Sequence, residues 1–150
     1  MSPGSLASLK VVVVDDDPMI LMVVGRCLTH LGASVTLCEN AVLGIQAVQQ
    51  VRPQVVLADI IMPGQDGFYL LRQIRAFADT HNWRAGIVVI TGVHDRELER
   101  ELEQAGVVYL PKPFTPRGLF DAVRQAMEPF SLCENGLGSA PNAVLTMDSP

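Results

Sequence analysis

Four apolar segments of the chain each lead directly into residues that can take part in chemistry. These residues are Asp15 and Asp16 after the first segment, Asp59 after the third, Thr91 after the fourth and Lys112 after the fifth. If the segments are parallel strands of one sheet, their carboxyl ends share an edge, and ligands of such sheets bind in the crevice outside that edge. The side chains are therefore expected to converge on one site.

The convergence of several carboxylates has a direct electrostatic consequence. Three carboxylates a few ångströms apart repel one another, so the site favours a divalent cation. Oxygen ligands with room for water suit Mg²⁺, which is the predicted cofactor. The ammonium group of Lys112 adds positive charge, and the hydroxyl of Thr91 can donate to an anionic oxygen. This combination favours a site for a phosphoryl group, whose equatorial oxygens need such neutralisation during transfer.

Asp59 is the central residue of this interpretation, because it follows an all-apolar strand candidate, Val55–Ala58. A run that is apolar at every position can be buried on both faces as a central strand of a parallel sheet. Asp59 could instead do no more than cap the loop that follows, as Asp often does. The polar residues at the other strand ends favour the reactive role.

The apolar pattern alternates between strand and helix five times along the chain. Strands are predicted at residues 9–14, 34–38, 55–58, 86–92 and 107–110. Helices are predicted at residues 18–31, from 41 to about 51, from 68 to about 79, at 95–105 and at 116–127. Such alternation with short connections predicts an α/β fold, with a doubly wound parallel sheet, helices on both faces and right-handed crossovers.

Composition and charge narrow the class of protein. The chain has 150 residues, of which 49% are hydrophobic and 18% charged, which suits one globular domain with a sizeable core. Its formal net charge of −5, without a Lys/Arg cluster, argues against direct nucleic-acid binding. No apolar run approaches the roughly 20 residues of a membrane span, so membrane insertion is not expected. Three widely spaced cysteines without a CxxC pair fit a reducing, cytoplasmic location.

The domain organisation is predicted as three parts. Residues 1–8 form a leader that could be a vector-derived remnant, and residues 9–128 form the α/β domain. Residues 129–150 shift in composition towards Pro, Gly, Ser and Asn and carry a few apolar residues without a convincing period. This tail is interpreted as an extension that is flexible or docks onto a partner.

Four stretches together resemble the signatures of receiver domains in two-component response regulators. They are residues 12–18 (VVVDDDP), 59–67 (DIIMPGQDG), 90–92 (ITG) and 109–114 (YLPKPF). Each stretch alone is moderately specific, but all four occur in order, and the resemblance covers about residues 10–127. It implies a flavodoxin-like fold with five helices and the strand order 2-1-3-4-5 in a phosphoprotein that acts in signal transduction.

The resemblance assigns a role to each residue of the site. Asp59 is implied as the phosphoacceptor, whose carboxylate takes the phosphoryl group from a phosphohistidine. Asp16, Asp59 and the backbone carbonyl of Ile61 are implied as Mg²⁺ ligands, with Asp15 acting through water. Lys112 would pair with Asp59 and then with the phosphoryl oxygens.

The same resemblance implies a switch and a set of partners. Thr91 would move towards the phosphoryl group, Tyr109 would turn inwards, and the Lys112–Pro113 bond would be cis. The phosphodonor would be a sensor histidine kinase or a histidine phosphotransfer protein, and the output would be a downstream protein target; formation of a homodimer stays open. The chain would be a phosphoacceptor signalling domain rather than an enzyme, with self-catalysed phosphotransfer and slow autodephosphorylation. It would be a stand-alone regulator or the receiver of a larger protein.

Two other functions would use the same residues. The first motif also resembles that of haloacid-dehalogenase-type phosphohydrolases, in which Asp15 would be the nucleophile and Asp17 the second acid of the pair. That family needs a further acidic pair after the lysine, which the sequence does not supply, and it leaves the Met-Pro-Gly stretch after Asp59 unexplained. The other alternative is a degenerate receiver that acts as a scaffold, and the complete set of site residues argues against it.

The first helix carries apolar residues on two faces. Its predicted sheet-facing stripe is Ile20, Val23, Val24, Cys27, Leu28 and Leu31. Leu21 and Met22 fall outside that stripe and, with Met19, Val23 and Gly25 nearby, could form a docking patch for a histidine-bearing helical partner. The alternative is a set of scattered exposed hydrophobes. The charged fourth helix could likewise be a plain solvated face or a partner surface.

Overall fold

The structure is a computed structural model, and it describes residues 5–62 and 65–128. The predicted tail at 129–150, the first four residues of the predicted leader and the Pro-Gly pair at 63–64 lie outside the described residues. No helix within the described ranges combines the length and the apolar character that crossing a membrane requires.

The described residues form seven strands and five helices. The strands are β1 (Lys10–Val14), β2 (Ser34–Cys38), β3 (Val55–Ala58), β4 (Ile61–Met62), β5 (Gln65–Asp66), β6 (Gly86–Thr91) and β7 (Val108–Pro111). The helices are α1 (Pro18–His30), α2 (Ala41–Val51), α3 (Gly67–His81), α4 (Arg96–Gln104) and α5 (Pro116–Met127). Every predicted strand and helix is present, with ends that differ from the prediction by a few residues at most.

Five of the strands form one parallel sheet in the order β2-β1-β3-β6-β7. Counted along these five strands, this is the predicted order 2-1-3-4-5, so the predicted fold class is confirmed. The antiparallel pair β4–β5 forms a separate hairpin, which the sequence pattern did not predict. Strands of two residues leave no alternation to detect, and the proline in this stretch indicated a loop.

Both faces of the sheet are covered by helices, which explains the unbroken apolar runs of its central strands. Residues 11–14 and 55–58 all have 0% exposure. Val12 and Val14 face the layer formed by α2, α3 and α4, whereas Val11 and Val13 face the layer formed by α1 and α5. Polar side chains can therefore reach solvent at the strand ends, and the carboxyl edge becomes the place for a site.

Four helices begin at an N-cap residue whose side chain accepts a hydrogen bond from the helix backbone. These caps are Asp17, Asn40, Asp95 and Thr115, which precede α1, α2, α4 and α5. Pro18 and Pro116 occupy the first helical position. An N–H at that position would have no acceptor within the helix, so its absence in proline costs no helical hydrogen bond. Because each cap fixes the start of its helix, the connections at the carboxyl edge of the sheet are short and defined.

The buried stripe of α1 follows the prediction except at Val23, with Ile20, Cys27 and Leu31 packed against the core. Val24 and Leu28 are buried as predicted, but Val23 is 40% exposed and Leu21 packs against the core in its place. The cause is Gly25, which is buried against β2; a Cβ at this position would lie 3.2 Å from Leu37 Cδ1. A hydrophobic pattern does not count glycine as apolar, so it did not predict this close approach.

The core begins before the predicted domain boundary at residue 9. Leu6 is 4% exposed and packs with Leu9 in the layer under α1, and its N–H donates to Leu31 O at 2.8 Å. Residues 5–8 of the predicted leader are therefore docked at the C-terminal end of α1. A single leucine in a stretch of Ser, Gly and Ala gives no periodicity from which this packing could be predicted.

Gly86, at the start of β6, marks a close approach between the sheet and α5, where a Cβ would collide with the backbone carbonyl of Ala126. We expect Gly86→Ala to lower the free energy of unfolding by about 3 kcal/mol, because the backbone of α5 must shift to accept the methyl group. Urea denaturation measures this change. Gly92→Ala is the matched control, since nothing lies within 4 Å of a Cβ there. Equal destabilisation by the two substitutions would contradict this account of the packing.

Candidate functional site

The polar residues predicted for the site lie at the carboxyl edge of the sheet. Asp15 and Asp16 follow β1, Asp59 follows β3, Thr91 ends β6 and Lys112 follows β7. The ladder of backbone hydrogen bonds continues past the strand ends: the N–H of Asp59 donates to Val14 O at 3.0 Å, and the N–H of Lys112 donates to Thr91 O at 2.8 Å. These residues are therefore held by the sheet itself rather than by mobile loops.

Three carboxylates come together at this edge. Asp15, Asp16 and Asp59 each offer an oxygen atom, and these oxygens lie within 4.8 Å of one another. Asp15 is 1% exposed and Asp59 is 5% exposed, whereas Asp16 is open to solvent. Two of the three acids are thus buried where their charges repel, and the third lies at the mouth of the cluster.

Lys112 places its ammonium group between the two buried acids. Its Nζ donates to Asp59 Oδ2 at 3.0 Å and to Asp15 Oδ2 at 3.3 Å, and its side chain is 22% exposed. Burial alone would lower the pKa of Lys112, but the hydrogen bond and charge of Asp59 and those of Asp15 outweigh it and raise the pKa above the usual lysine value. The ammonium group is therefore charged at neutral pH.

Short-range hydrogen bonds orient the carboxylates. Asp15 Oδ1 accepts from the N–H of Asp17 at 2.8 Å, and Asp59 Oδ1 accepts from the N–H of Ile61 at 2.8 Å. In both residues the other oxygen, Oδ2, is then the one that meets Lys112. Burial is the largest cause of a raised pKa for the carboxyl group of Asp15; its hydrogen bond from Asp17 and the charge of Lys112 only partly offset that effect.

Consecutive aspartates have different environments. Asp15 is buried beside Lys112, Asp16 is exposed at the carboxylate cluster, and Asp17 caps α1 by accepting from the N–H of Met19 at 2.9 Å. The phosphohydrolase alternative needs Asp15 and Asp17 to act as a pair. That alternative is not favoured, because the side chain of Asp17 is engaged with the helix and is not one of the three clustered acids.

Thr91 and Tyr109 are connected through the backbone of one residue, Val93. Thr91 is fully buried, and its Oγ1 accepts from the N–H of Val93 at 3.1 Å. The hydroxyl of half-buried Tyr109 donates to Val93 O at 2.9 Å. Burial raises the pKa of the Tyr109 hydroxyl, and the charge of Glu99 adds to this effect, so the hydroxyl stays a donor at neutral pH.

Val93 was not among the residues predicted for the site. It contributes through its N–H and C=O, which every non-proline residue carries, so no side-chain motif identifies it. Ile61, which was predicted to contribute a backbone carbonyl, lies in β4. Its N–H donates to Asp59 Oδ1, and its side chain is 56% exposed. The Lys112–Pro113 peptide bond is cis.

The donor set at the sheet edge fits a small, hard divalent cation. All three clustered side chains are carboxylates, and hard cations of the Mg²⁺ type prefer oxygen ligands. The exposed position of Asp16 leaves one side of the cluster accessible to an ion with its water shell. A further positive charge would relieve the repulsion between Asp15 and Asp59, which Lys112 offsets in part.

Lys112→Met tests the electrostatics of the cluster without a cation present. We expect the free energy of unfolding at pH 7 to fall by about 1–3 kcal/mol, because two buried carboxylates lose their shared counter-charge. The loss should shrink as the pH is lowered and the acids take up protons, which urea titrations at several pH values measure. Lys10→Met is the matched control, since Lys10 is the other lysine of the chain and is exposed. Equal losses in both variants would show that the pairing contributes nothing.

Comparisons with known proteins agree with this geometry. The family described as "Response regulator receiver domain" matches residues 11–124. The probable C4-dicarboxylate response regulator DctR of Priestia megaterium is 30% identical over 123 residues, which cover 80% of this chain and 50% of that protein. The sensor protein GacS of Pseudomonas syringae pv. syringae is 36% identical over 123 residues, which cover 81% of this chain and 14% of that protein.

The chain therefore spans half or less of the length of these two relatives. Among solved structures, the chemotaxis protein CheY4 of Vibrio cholerae superposes with a TM-score of 0.72 at 26% identity, over 80% of this chain and 99% of that one. The family match extends across both faces of the sheet and includes every residue of the carboxylate cluster. The chain belongs to the receiver domains of two-component response regulators, which are phosphoacceptor signalling domains.

Proposed function

We propose that Asp59 is the residue that accepts the phosphoryl group, from a phosphohistidine on a sensor histidine kinase or a histidine phosphotransfer protein. The observation that carries this proposal is the contact of the buried Asp59 carboxylate with Lys112 at 3.0 Å, inside a cluster of three acids. Among the clustered acids, Asp59 follows the central strand of the sheet and makes the shorter contact with Lys112, 3.0 Å against 3.3 Å for Asp15.

The chemistry follows from these contacts. A carboxylate oxygen of Asp59 attacks phosphorus, the new O–P bond forms, and the N–P bond of the phosphohistidine breaks with its electron pair returning to the imidazole. Lys112 is already within hydrogen-bond distance of the acceptor carboxylate and is charged, so it can follow the incoming phosphoryl oxygens. Asp15 accepts a second hydrogen bond from that ammonium group, which limits the movement of the lysine side chain.

The proposed metal ligands are the side chains of Asp16 and Asp59 and the backbone carbonyl of Ile61, with Asp15 acting through water. Bound Mg²⁺ would supply the positive charge that an anionic phosphoryl group needs beside carboxylates. Support comes from the all-oxygen donor set and from the accessible position of Asp16. Ile61 is fixed beside the cluster by the hydrogen bond from its N–H to Asp59.

The proposed switch runs from Thr91 to Tyr109. A phosphoryl group adds about −1.5 to −2 charge and three acceptor oxygens next to the end of β6, and the hydroxyl proton of Thr91 can be donated to them. Because Val93 bonds to both Thr91 and Tyr109, a shift of Thr91 would disturb the contact of Tyr109 as well. The surface that changes would be that of α4, β7 and α5, where a downstream protein would bind.

Several finer expectations go with this function. The chain would catalyse its own phosphorylation from the donor and lose the phosphoryl group slowly, rather than turn over a substrate. The cytoplasmic location, the absence of nucleic-acid contacts and the domain boundaries stay predictions from the sequence.

The acceptor assignment predicts a specific loss of phosphorylation. We expect Asp59→Asn to reduce incorporation of phosphate from a phosphorylated kinase or from phosphoramidate by at least about 100-fold, because the amide oxygen is a far weaker nucleophile. Labelling in the wild type should require Mg²⁺ and should be lost on treatment with hydroxylamine, as for an acyl phosphate. Radiolabel incorporation with and without EDTA measures this.

Asp17→Asn is the matched control for this test. It removes a carboxylate two positions from Asp15 yet keeps an N-cap for α1, since asparagine caps as well as aspartate. Its labelling should stay within about twofold of the wild type. Hydroxylamine-sensitive labelling that persists in Asp59→Asn at the wild-type level would rule out Asp59 as the acceptor.

The outer face of α1 is the proposed docking surface for the phosphodonor protein. Met19, Met22 and Val23 lie at helical spacing and are 60%, 40% and 40% exposed, which makes one apolar stripe that starts at the edge of the site. Leu21, which was predicted to belong to this patch, packs against the core instead. A solvated helix face would normally be polar, so the stripe favours contact with a partner.

Val23→Glu tests this docking surface. We expect phosphotransfer from a phosphohistidine protein to slow about tenfold, because a charge would be buried in the contact, while labelling by phosphoramidate stays unchanged. Val42→Glu is the control, since Val42 is 55% exposed on α2 and lies outside the stripe. If both donors slow together, the substitution acts on the site or on folding, and the docking role fails.

A further inference from the structure

An open apolar groove lies between α1 and the edge strand β2, away from the carboxylate cluster. Its cavity volume is about 380 Å³, and its lining consists of Met22, Gly25, Arg26, Thr29, Val35 and Leu37. Leu37 is 46% exposed although it lies on a strand of the main sheet. At the base of the groove Gly25 and Leu37 approach closely, since a Cβ on Gly25 would lie 3.2 Å from Leu37 Cδ1.

The floor of the groove also has unpaired backbone groups. Ser34 N donates to Leu9 O, and Cys38 O accepts from Asp15 N, so the backbone groups of Ser34, Thr36 and Cys38 point towards β1. In a strand the next residues point the opposite way, so the N–H and C=O of Val35 and Leu37 face outwards. No strand pairs with this edge in the part of the chain that the structure describes.

The C-terminal tail is rich in hydrophobic residues and poor in charged ones, a composition that favours packing against an apolar surface. Residues 129–150 contain nine hydrophobic residues and two charged ones, Glu134 and Asp148. Within them, residues 143–147 (AVLTM) are apolar or β-branched and are bounded by Pro141 and Asn142 before and by Asp148, Ser149 and Pro150 after. An apolar run between turn-forming residues is the pattern of a short strand.

We propose that residues 143–147 pair as a strand with the outer edge of β2 and bury Leu145 in the groove above Val35 and Leu37. Strand addition satisfies the outward N–H and C=O groups of Val35 and Leu37. In a strand, Ala143, Leu145 and Met147 share one face, which supplies two large side chains, with Leu145 at its centre, for the groove beside Leu37. The occupant of the groove is therefore this chain's own tail.

The tail is long enough to make this contact. The helix α5 ends at Met127 and packs on β6 and β7 as well as on β3, and β6 lies three strand spacings, about 14 Å, from β2. Residues 129–142 can span about 46 Å when extended, which leaves length to pass around the end of α1. Tethering at this length gives an effective concentration on the order of millimolar, so even a weak strand pairing is populated.

The opposite edge of the sheet is a poorer partner for the same segment. It is formed by β7, in which Pro111 has no N–H to donate to an added strand. Helices pack against both edge strands, but β2 has exposed side chains at Ser34 and Leu37, whereas β7 has none. The edge of β2 therefore offers more unpaired backbone and more open apolar surface.

Amide hydrogen exchange of the full-length chain, followed by NMR, tests the proposal. The amides of Val35 and Leu37 should exchange about tenfold more slowly than in the Leu145→Asp variant, which corresponds to a segment that is docked roughly nine-tenths of the time. Leu137→Asp makes the same change in the linker, and it should leave the exchange as in the wild type. The amide of Thr36, which pairs with β1, reports whether the sheet is intact in every variant.

The outcomes separate the occupants of the groove. Slow exchange that is lost only in Leu145→Asp, and that does not depend on protein concentration, supports docking of the tail in the same molecule. Protection that falls on dilution would assign the edge of β2 to a second copy of the chain and overturn the proposal. Fast exchange of Val35 and Leu37 in the wild type, or equal protection in Leu145→Asp, would overturn it as well. None of these results depends on which residue accepts a phosphoryl group.

Discussion

Repulsion between acids held at the carboxyl edge of the sheet is the constraint on which the rest of this structure depends. Asp15 and Asp59 are buried and share one ammonium group, that of Lys112, while Asp16 adds a third negative charge at the opening. In a flexible chain these groups would move apart. Here the backbone ladder extends past the strand ends and holds them in place, so the free energy of the folded core opposes the repulsion. Binding of a cation at this site is favoured because it reduces the repulsion between the three carboxylates.

The central strands are buried on both faces and polar at their ends, which explains why the position of the site could be predicted from the sequence. Val55–Ala58 is apolar at every position because both faces of β3 are covered, and Asp59 is polar because it is the first residue beyond that cover. The same reasoning placed Asp15, Thr91 and Lys112 at the edge. The chain order of the strands and the sheet rule for ligand sites were enough to predict their convergence.

Features that depend on backbone geometry could not be predicted in the same way. The hairpin β4–β5 has two residues in each strand, and Val93 acts through its peptide groups. The face of α1 was misassigned at Leu21 and Val23 because Gly25 admits Leu37, and a pattern of apolar residues contains no information on close approach. Leu6 joins the core through a local turn, and a single leucine has no periodicity from which that turn could be predicted.

The two hydrogen bonds of Val93 have a mechanical consequence. Its N–H donates to the Thr91 hydroxyl and its C=O accepts from the Tyr109 hydroxyl. One residue therefore links a buried side chain of β6 to an aromatic side chain of the neighbouring strand. The glycine before Val93 has empty space around it, so the backbone at this point can shift without a clash. A shift of the threonine hydroxyl that keeps its bond to Val93 must therefore move that peptide segment, and the tyrosine hydroxyl then has to follow or lose its acceptor.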